Sequence, residues 1–386
     1  MVVFVVKIRC FLSNKIIVDV NISLLTIYNA FKKAQKGKRN KLSSLEFEAE
    51  LEKHTLLLCL QLSSQRWISG PFQSFKIYDP KVRIISAAPF RDRVVHHILV
   101  NHIEPFFEKT FIFDSYANRK GKGTHLAIER FQQYARRFDY VLKCDVRKFF
   151  PSLDHEILKR EIRWRIWQPD LLWLCDAIID GSNEQEKTLE YFPGDHLFTP
   201  HERRKGLPIG NLTSQFWANV YMTRFDHFVK EELRVKGYIR YVDDFVLFAD
   251  SKAQLHTWKL AIEEYLAKIR LLLHPEKTQI YKTGNGVPFL GFNVFPYHRI
   301  VRKEKTKRYR RFLKGKLRAY LAGNIPADRL ELALNAWLGH IRFGQSQRLE
   351  HQTLQMLWAA SINVVEHPNG SWKILESRPG STPSYE

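Results

Sequence analysis

Three aspartates stand out for the chemistry they could do. Asp145 closes the apolar run Tyr140-Val-Leu-Lys-Cys-Asp145. Asp243 and Asp244 lie between two short β-rich runs in Tyr238-Ile-Arg-Tyr-Val-Asp-Asp-Phe-Val-Leu-Phe-Ala-Asp250, as at the tip of a hairpin. An Asp pair between strands is by itself a turn signal, and a single acid at a strand end needs no special explanation. Brought into one small volume by adjacent strands, however, three carboxylates repel one another unless cations sit among them. Hard oxygen ligands of this kind suit Mg²⁺. Two such ions about 3.5–4 Å apart can activate an attacking hydroxyl and stabilise the leaving oxygen of a phosphoryl transfer.

The charge of the chain agrees with that chemistry. Its 386 residues carry 61 Lys and Arg against 40 Asp and Glu, a net charge of +21, which implies a polyanionic partner. With 45% hydrophobic residues the composition excludes disorder as the main state, and the length fits two or three structural units. The apolar start Met1-Val-Val-Phe-Val-Val6 is broken by Lys7 and Arg9, too short to span a bilayer and without a cleavage site. The four cysteines, Cys10, Cys59, Cys144 and Cys175, form no CxxC pair. Reduced thiols and a cytoplasmic location are expected, with no membrane partner.

The elements that must position the acids follow from periodicity. Apolar residues at helical spacing predict a helix around Leu25, Tyr28, Phe31 and Ala34. A basic turn at Lys36 to Lys41 leads to a second helix through Leu45, Leu51, Leu57 and Leu58. Short strands around turns are expected over 71–90, including Tyr78-Asp79-Pro80, and helices over 91–108 and 124–138. Two apolar strands, 140–146 and 238–249, frame a helical middle and a polar loop at 182–205, read as a solvated excursion. Ten of the seventeen residues in 302–318 are Lys or Arg, interleaved with Tyr309 and Phe312. Trp337-Leu-Gly-His340 reads as a further helix of the same unit, and the residues from His367 onward as a frayed tail.

Tyr241-Val-Asp-Asp244 resembles the YxDD box of reverse transcriptases, and Asp145 with Phe149-Phe150 resembles their preceding acidic box. Other stretches follow in the family's order. Arg83 and Pro89-Phe-Arg-Asp-Arg93 resemble its first fingers motif, and Asp114-Ser-Tyr-Ala-Asn-Arg-Lys-Gly-Lys-Gly-Thr-His125 its second. His274-Pro-Glu-Lys277 resembles the lysine-bearing motif, and Phe289-Leu-Gly-Phe292 the primer-grip turn. The stretch Gly206-Leu-Pro-Ile-Gly-Asn-Leu-Thr-Ser-Gln215 is the most informative. Relatives of group II intron enzymes mostly carry Gln before the second Gly and end in Ser-Pro. The form with Ile209 and Ser214-Gln215 is similar to that of diversity-generating retroelements, whose enzymes copy a template-repeat RNA with frequent errors at adenines.

The resemblance, which covers roughly 25–345, implies an α+β right-hand polymerase. Its divisions are an N-terminal extension of unknown role (1–23), fingers (24–138), a palm with a small antiparallel sheet plus helices (139–297), a helical thumb (298–362) and a flexible tail (363–386). It implies catalysis by Asp145, Asp243, Asp244 and Lys277, with two Mg²⁺ ions (Mn²⁺ as a substitute) on the three aspartates and the Val146 carbonyl. Lys277 would protonate or neutralise the departing pyrophosphate. Arg83 and Arg91 would reach the triphosphate, Phe150 would crowd a ribose 2′-hydroxyl, and Ile209 and Gly210 would lie at the nascent pair. Arg119, Lys120, Lys122, Asn211 and Gln215 would hold template, and the basic helix, Arg308 and Arg311 included, would track duplex. Neutralising even six phosphates gives a log–log salt slope of about −5.

The implied partners are template-repeat RNA, a cDNA/RNA duplex, dNTP and a small basic helical accessory protein that forms an oligomer. The sequence leaves two other readings open: a retron, intron or antiphage-type reverse transcriptase, and a non-catalytic RNA-binding scaffold on a polymerase fold.

Overall fold

The computed structural model describes residues 22–78, 82–183, 185–186 and 188–375. The expected N-terminal extension up to residue 21 and the Asp79-Pro80 turn lie outside them.

In chain order the elements begin with α1 (Leu24–Gln35), α2 (Leu42–Ala49), α3 (Leu51–Ser63), β1 (Gln73–Ile77), β2 (Arg83–Ala87), α4 (Phe90–Glu108) and α5 (Thr124–Ala135). Then come β3 (Tyr140–Asp145), α6 (Phe149–Ser152), α7 (His155–Arg163), α8 (Pro169–Asp180), α9 (Thr199–Glu202) and α10 (Leu212–His227). The hairpin β4 (Gly237–Tyr241) and β5 (Asp244–Ala249) precedes α11 (Lys252–Lys268), β6 (Gln279–Lys282), β7 (Val287–Phe289), β8 (Phe292–Val294) and β9 (Arg299–Val301). The chain continues through α12 (Lys303–Leu321), α13 (Ala327–Phe343), α14 (Gln347–Trp358), β10 (Val364–Glu366) and β11 (Trp372–Ile374).

These elements form two compact units. The first comprises residues up to Ile112, Val146–His227 and Glu264–Leu272; the second comprises Phe113–Asp145, Phe228–Glu263 and the chain from Leu273. The first unit consists of packed helices and the largely exposed β1–β2 hairpin. Phe31, Phe47 and Phe90 pack at ring distances of 5.6 and 5.4 Å, joining α1, α2 and α4. Local signals start the helices: Ser23 accepts from the Thr26 amide at α1, Asp154 from the Ile157 amide at α7, and Pro169 opens α8. The second expected helix is broken at Glu50, whose φ and ψ of −116° and 38° separate α2 from α3.

In the second unit a four-stranded antiparallel sheet of order β4-β5-β3-β6 carries α5 on one face. Phe131 of α5 packs on Phe248 and Phe289 at 4.8 and 5.0 Å, so the sheet, α5 and the β7–β8 hairpin share one core. The basic stretch is indeed a helix, α12. Its Thr306, Leu313 and Leu317 are buried, and Tyr309 stacks on Trp337 of α13 at 4.2 Å. Phe312 faces outward instead.

Two expectations are corrected. Residues 363–375 are no flexible tail: Val364 and Ile374 are buried in an antiparallel hairpin, β10–β11, that packs on α13, and the Asn335 side chain bonds the Trp372 backbone in both directions. Two well-placed apolar residues outweigh the Pro, Gly and Ser around them. The 182–205 loop is no mere solvated excursion either. Arg203, almost wholly buried, pairs with Asp195 and with Asp154, and Arg270 closes on Asp154 at 2.6 Å. Among the described residues no helix is long and apolar enough to cross a membrane.

Candidate active site

β3 and β5 run antiparallel in a register that sets Asp145 directly opposite Asp244. Residues so opposed hold their Cβ atoms about 4.5–5.5 Å apart. β5 also pairs with β4, with Tyr241 opposite Asp244, so Val242 and Asp243 form a two-residue hairpin loop. Val242 has φ = +59°. A β-branched residue there is strained, as is common where a loop must aim side chains for function. Arg240, fully buried in β4, donates to the Val242 carbonyl at 3.2 Å and so supports the strained turn from below.

The three carboxylates that sequence reasoning linked are therefore brought to one end of one sheet. Burial, then repulsion from Asp244 and Asp145, pushes the Asp243 carboxyl up to about 6. Burial and the Asp145 charge raise Asp244 as well, against the opposing pull of Lys143. One oxygen of Asp244, Oδ1, is buried without a hydrogen-bond partner. Such a group costs free energy unless a cation or donor meets it.

Two lysines face this cluster. The Lys277 ammonium lies 2.6 Å from Asp145 Oδ1. It is held there by the turn His274–Thr278, since the His274 amide bonds the Asp145 carbonyl at 2.7 Å and the Thr278 amide closes back on His274. Lys143 Nζ lies 3.9 Å from Asp244 Oδ1. Sequence reasoning missed Lys143, though the signal was present: two residues before Asp145 on one strand, it must share that residue's face. Cys144, on the opposite face, is buried and its thiol is pushed far up by desolvation.

An all-oxygen donor set with an orphaned carboxylate oxygen suits hard divalent cations by its chemistry, but among the described residues no group of three or more Asp, Glu, His or Cys side chains is placed so as to hold a metal ion. Asp145, Asp243 and Asp244 would hold the ions, which when bound would activate the attacking hydroxyl and stabilise the leaving oxygen.

The loop before α5 sits beside β4. Ser115 bridges Arg240, and the Tyr241 and Thr124 hydroxyls meet at 3.0 Å. Buried Asp114, bonded by Arg130, Tyr116 and Tyr134, anchors this loop. Arg119 donates to the Ser115 carbonyl. Lys122 donates to the Phe113 carbonyl and lies over its ring, while Lys120 is exposed. On α12, Arg308 and Arg311 are exposed on the face opposite Leu313 and Leu317.

The first unit gathers a second set of the expected residues. The Leu207 amide bonds the Phe150 carbonyl, and the Ser86 amide of β2 bonds the Ile209 carbonyl. Phe150 and Ile209 are half-buried, and Gly210 is exposed with φ = +107°, where a Cβ would lie 3.0 Å from Ile85. Asn211 is buried. Its Oδ1 accepts from the Ala88 amide at 3.2 Å, and its Nδ2 donates to the Ser86 and Pro208 carbonyls. Its amide thus clamps the loop to β2 and is spent inside the protein. Gln215 is exposed on α10 and Ser214 is buried. Arg83 is exposed, whereas Arg91 is tied to Asp92 and to the Ile68 carbonyl. Val146 follows Asp145 with its side chain buried.

The chain is similar to Protein YkfC of Escherichia coli, 25% identical over 289 residues that make up 63% of this chain and 71% of that one. It is similar to the Putative COX1/OXI3 intron 1 protein of Saccharomyces cerevisiae, 21% identical over 61% of this chain but 34% of that protein. It is also similar to Nuclear intron maturase 1, mitochondrial, of Arabidopsis thaliana, 26% identical over 25% of this chain and 14% of that one. Among solved structures, apo telomerase from Candida tropicalis aligns at a TM-score of 0.45 and 14% identity, over 76% of this chain and 59% of that chain. Residues 77–294, more than half of the chain, match the family model described as "Reverse transcriptase (RNA-dependent DNA polymerase)", and the chain belongs to that family.

Proposed function

We propose that this RNA-directed DNA polymerase makes error-prone cDNA from a template-repeat RNA for mutagenic retrohoming. The observation behind the polymerase chemistry is the opposition of Asp145 and Asp244 across β3 and β5, with Asp243 in the turn beside them. The primer 3′-hydroxyl attacks the α-phosphate of a dNTP and pyrophosphate leaves. Asp145, Asp243 and Asp244 would hold two Mg²⁺ ions, with the Val146 carbonyl as a further ligand. Positioning and charge neutralisation supply nearly all the rate of such a transfer. Lys277, already at hydrogen-bond distance from Asp145, carries a proton that the leaving pyrophosphate can take.

The remaining roles divide by unit. Arg83 and Arg91 receive the triphosphate, Phe150 excludes a 2′-hydroxyl, and Ile209 with Gly210 borders the nascent pair. Arg119, Lys120, Lys122 and Gln215 hold template, while Arg308 and Arg311 follow the duplex. A small basic helical accessory protein assists the chain in RNA handling.

The mutagenic part of this reading rests on Ile209. An amide at this position could hydrogen-bond near the nascent pair; an isoleucine cannot, so one geometric check on the pair is lost. Sequencing of cDNA made by the wild type and by Ile209→Gln tests this. Misincorporation opposite template adenines should fall in the variant. An unchanged error spectrum would remove Ile209 from the explanation, and accurate wild-type cDNA would favour a second reading, an intron-type enzyme, which the names of two relatives support.

A further inference from the structure

Two cations directly follow the catalytic strand. Arg147 and Lys148 stand two and three residues past Asp145, and no role assigned above uses them. Their backbone is fixed: the Arg147 amide bonds the Leu272 carbonyl at 2.8 Å, and Lys148 is held at φ = +45° as it caps α6. Both side chains are more than 40% exposed.

Each is met by an acid from the 182–205 loop. Arg147 pairs with Glu190, and Lys148 Nζ lies 2.6 Å from Glu186. The arm carrying these acids is tethered beyond them by the buried Arg203 pairs with Asp195 and Asp154. Between its two acids the arm is held at buried Thr188, whose carbonyl accepts from Lys205, and beside it lies a cavity of about 590 Å³ lined by Glu186, His201, Arg204 and Lys205 among others, so displacing the acids calls for side-chain movement rather than release of the arm. Exposed ion pairs are each worth only about 0–1 kcal/mol, and a polyanion brings many charges at once.

We propose that Arg147 and Lys148 form a phosphate-binding pair, and that Glu186 and Glu190 cover it in cis, standing where phosphate oxygens bind until a nucleic acid displaces them. A carboxylate and a phosphate present the same oxygen acceptors to guanidinium and ammonium, so the loop imitates the ligand. The phosphates belong to the nucleic-acid backbone or to the incoming triphosphate; the chemistry is shared. The inference rests on the reading that this chain handles nucleic acid.

The test is a charge cycle on the full-length chain, read as binding of a fluorescent RNA–DNA hybrid with a 5′ overhang over a KCl series. Glu186→Gln/Glu190→Gln should bind about fivefold more tightly than wild type, as expected for one exposed and one partly buried pair. Arg147→Gln/Lys148→Gln should bind more weakly, with a log–log salt slope shallower by about 2. In the combined four-site variant the gain from the glutamates should vanish. If the gain persists there, it is a general charge effect and the inference is overturned. If hybrid affinity is unmoved but the glutamate variant lowers KM for dNTP, and only when Arg147 and Lys148 are present, the phosphates are those of the triphosphate. If the glutamate variant changes neither, the loop covers nothing. These exchanges alter no Asp of the acid cluster, so absence of hybrid binding by the wild type would count against the polymerase reading itself.

Discussion

Asp145 and Asp244 face each other across β3 and β5 at the last paired position of that register. Nothing in packing requires two carboxylates there. Apart from Lys143 against Val246, the register below them is apolar, with Cys144 opposite Phe245 and Leu142 opposite Leu247. Like charges directly opposed destabilise a sheet, so this arrangement costs stability, a cost the proposed chemistry accounts for.

The acids differ in what they do for the free protein. Asp145 has the Lys277 ammonium at 2.6 Å, whereas Asp243 is raised by burial and by its neighbours. Asp243→Asn should therefore abolish synthesis, by at least about 10³-fold, while raising the melting temperature of the metal-free protein by about 1–3 °C. Asp145→Asn should abolish synthesis and lower the melting temperature. Calorimetry of the two variants side by side checks the contrast; equal shifts would contradict it.

The pH dependence has a defined sign. The Asp243 carboxyl titrates at about 6 in the folded chain against an ordinary value of 3.8. Between these values the folded state binds the proton more tightly than the unfolded state, so this group's contribution to stability falls as pH rises through the window. Denaturant titrations of metal-free protein at the two ends should show wild type losing about 1–2 kcal/mol more than Asp243→Asn on going to the higher pH. Parallel curves would rule the shift out.

On the proposed reading Lys277 acts as an acid catalyst or charge partner in the transfer step rather than as a template ligand. Lys277→Ala should lower kcat by about 10²-fold and leave KM for primer–template within about twofold. Pre-steady-state single-nucleotide incorporation separates the two, and a change confined to KM would reassign the residue.

Asn211 spends its amide on Ser86, Ala88 and Pro208. Asn211→Ala should cost about 2–3 kcal/mol in urea unfolding, because buried backbone partners are left unmatched. Its nucleic-acid salt slope should stay at the wild-type value. A shallower slope with unchanged stability would restore it as a template contact.

On α12 the two aromatics part company. Tyr309, stacked on Trp337 with its hydroxyl on the Ala333 carbonyl, is core, so Tyr309→Ala should destabilise by about 3–4 kcal/mol. Phe312→Ala should leave unfolding within about 0.5 kcal/mol. Arg308→Gln/Arg311→Gln should leave stability alone and make the salt slope of duplex binding shallower by about 2.

Much of the site was legible before the structure because its signals are local. A strand period of two places Asp145, and an Asp pair between β-rich runs marks the hairpin tip. The basic helix was equally plain from ten cations in seventeen residues. What escaped depends on partners distant in sequence. Asn211 reads the same whether it bonds RNA or the Ser86 carbonyl 125 residues away. The polar loop reads as solvent-facing until Arg203 is seen buried against Asp154 and Asp195. The β10–β11 hairpin hides behind Pro, Gly and Ser, since only packing on α13 gives Val364 and Ile374 a core.

The most direct test of the central claim is primer extension on an RNA template with dNTPs and Mg²⁺, wild type beside Asp243→Asn, with accessory protein and structured RNA supplied in a parallel series. The account predicts full-length cDNA from the wild type, none from the variant, and none with EDTA. A variant that retains synthesis would place the reaction elsewhere in the molecule. A wild type that binds the template yet makes no cDNA in either series would mean that the three aspartates support no transfer.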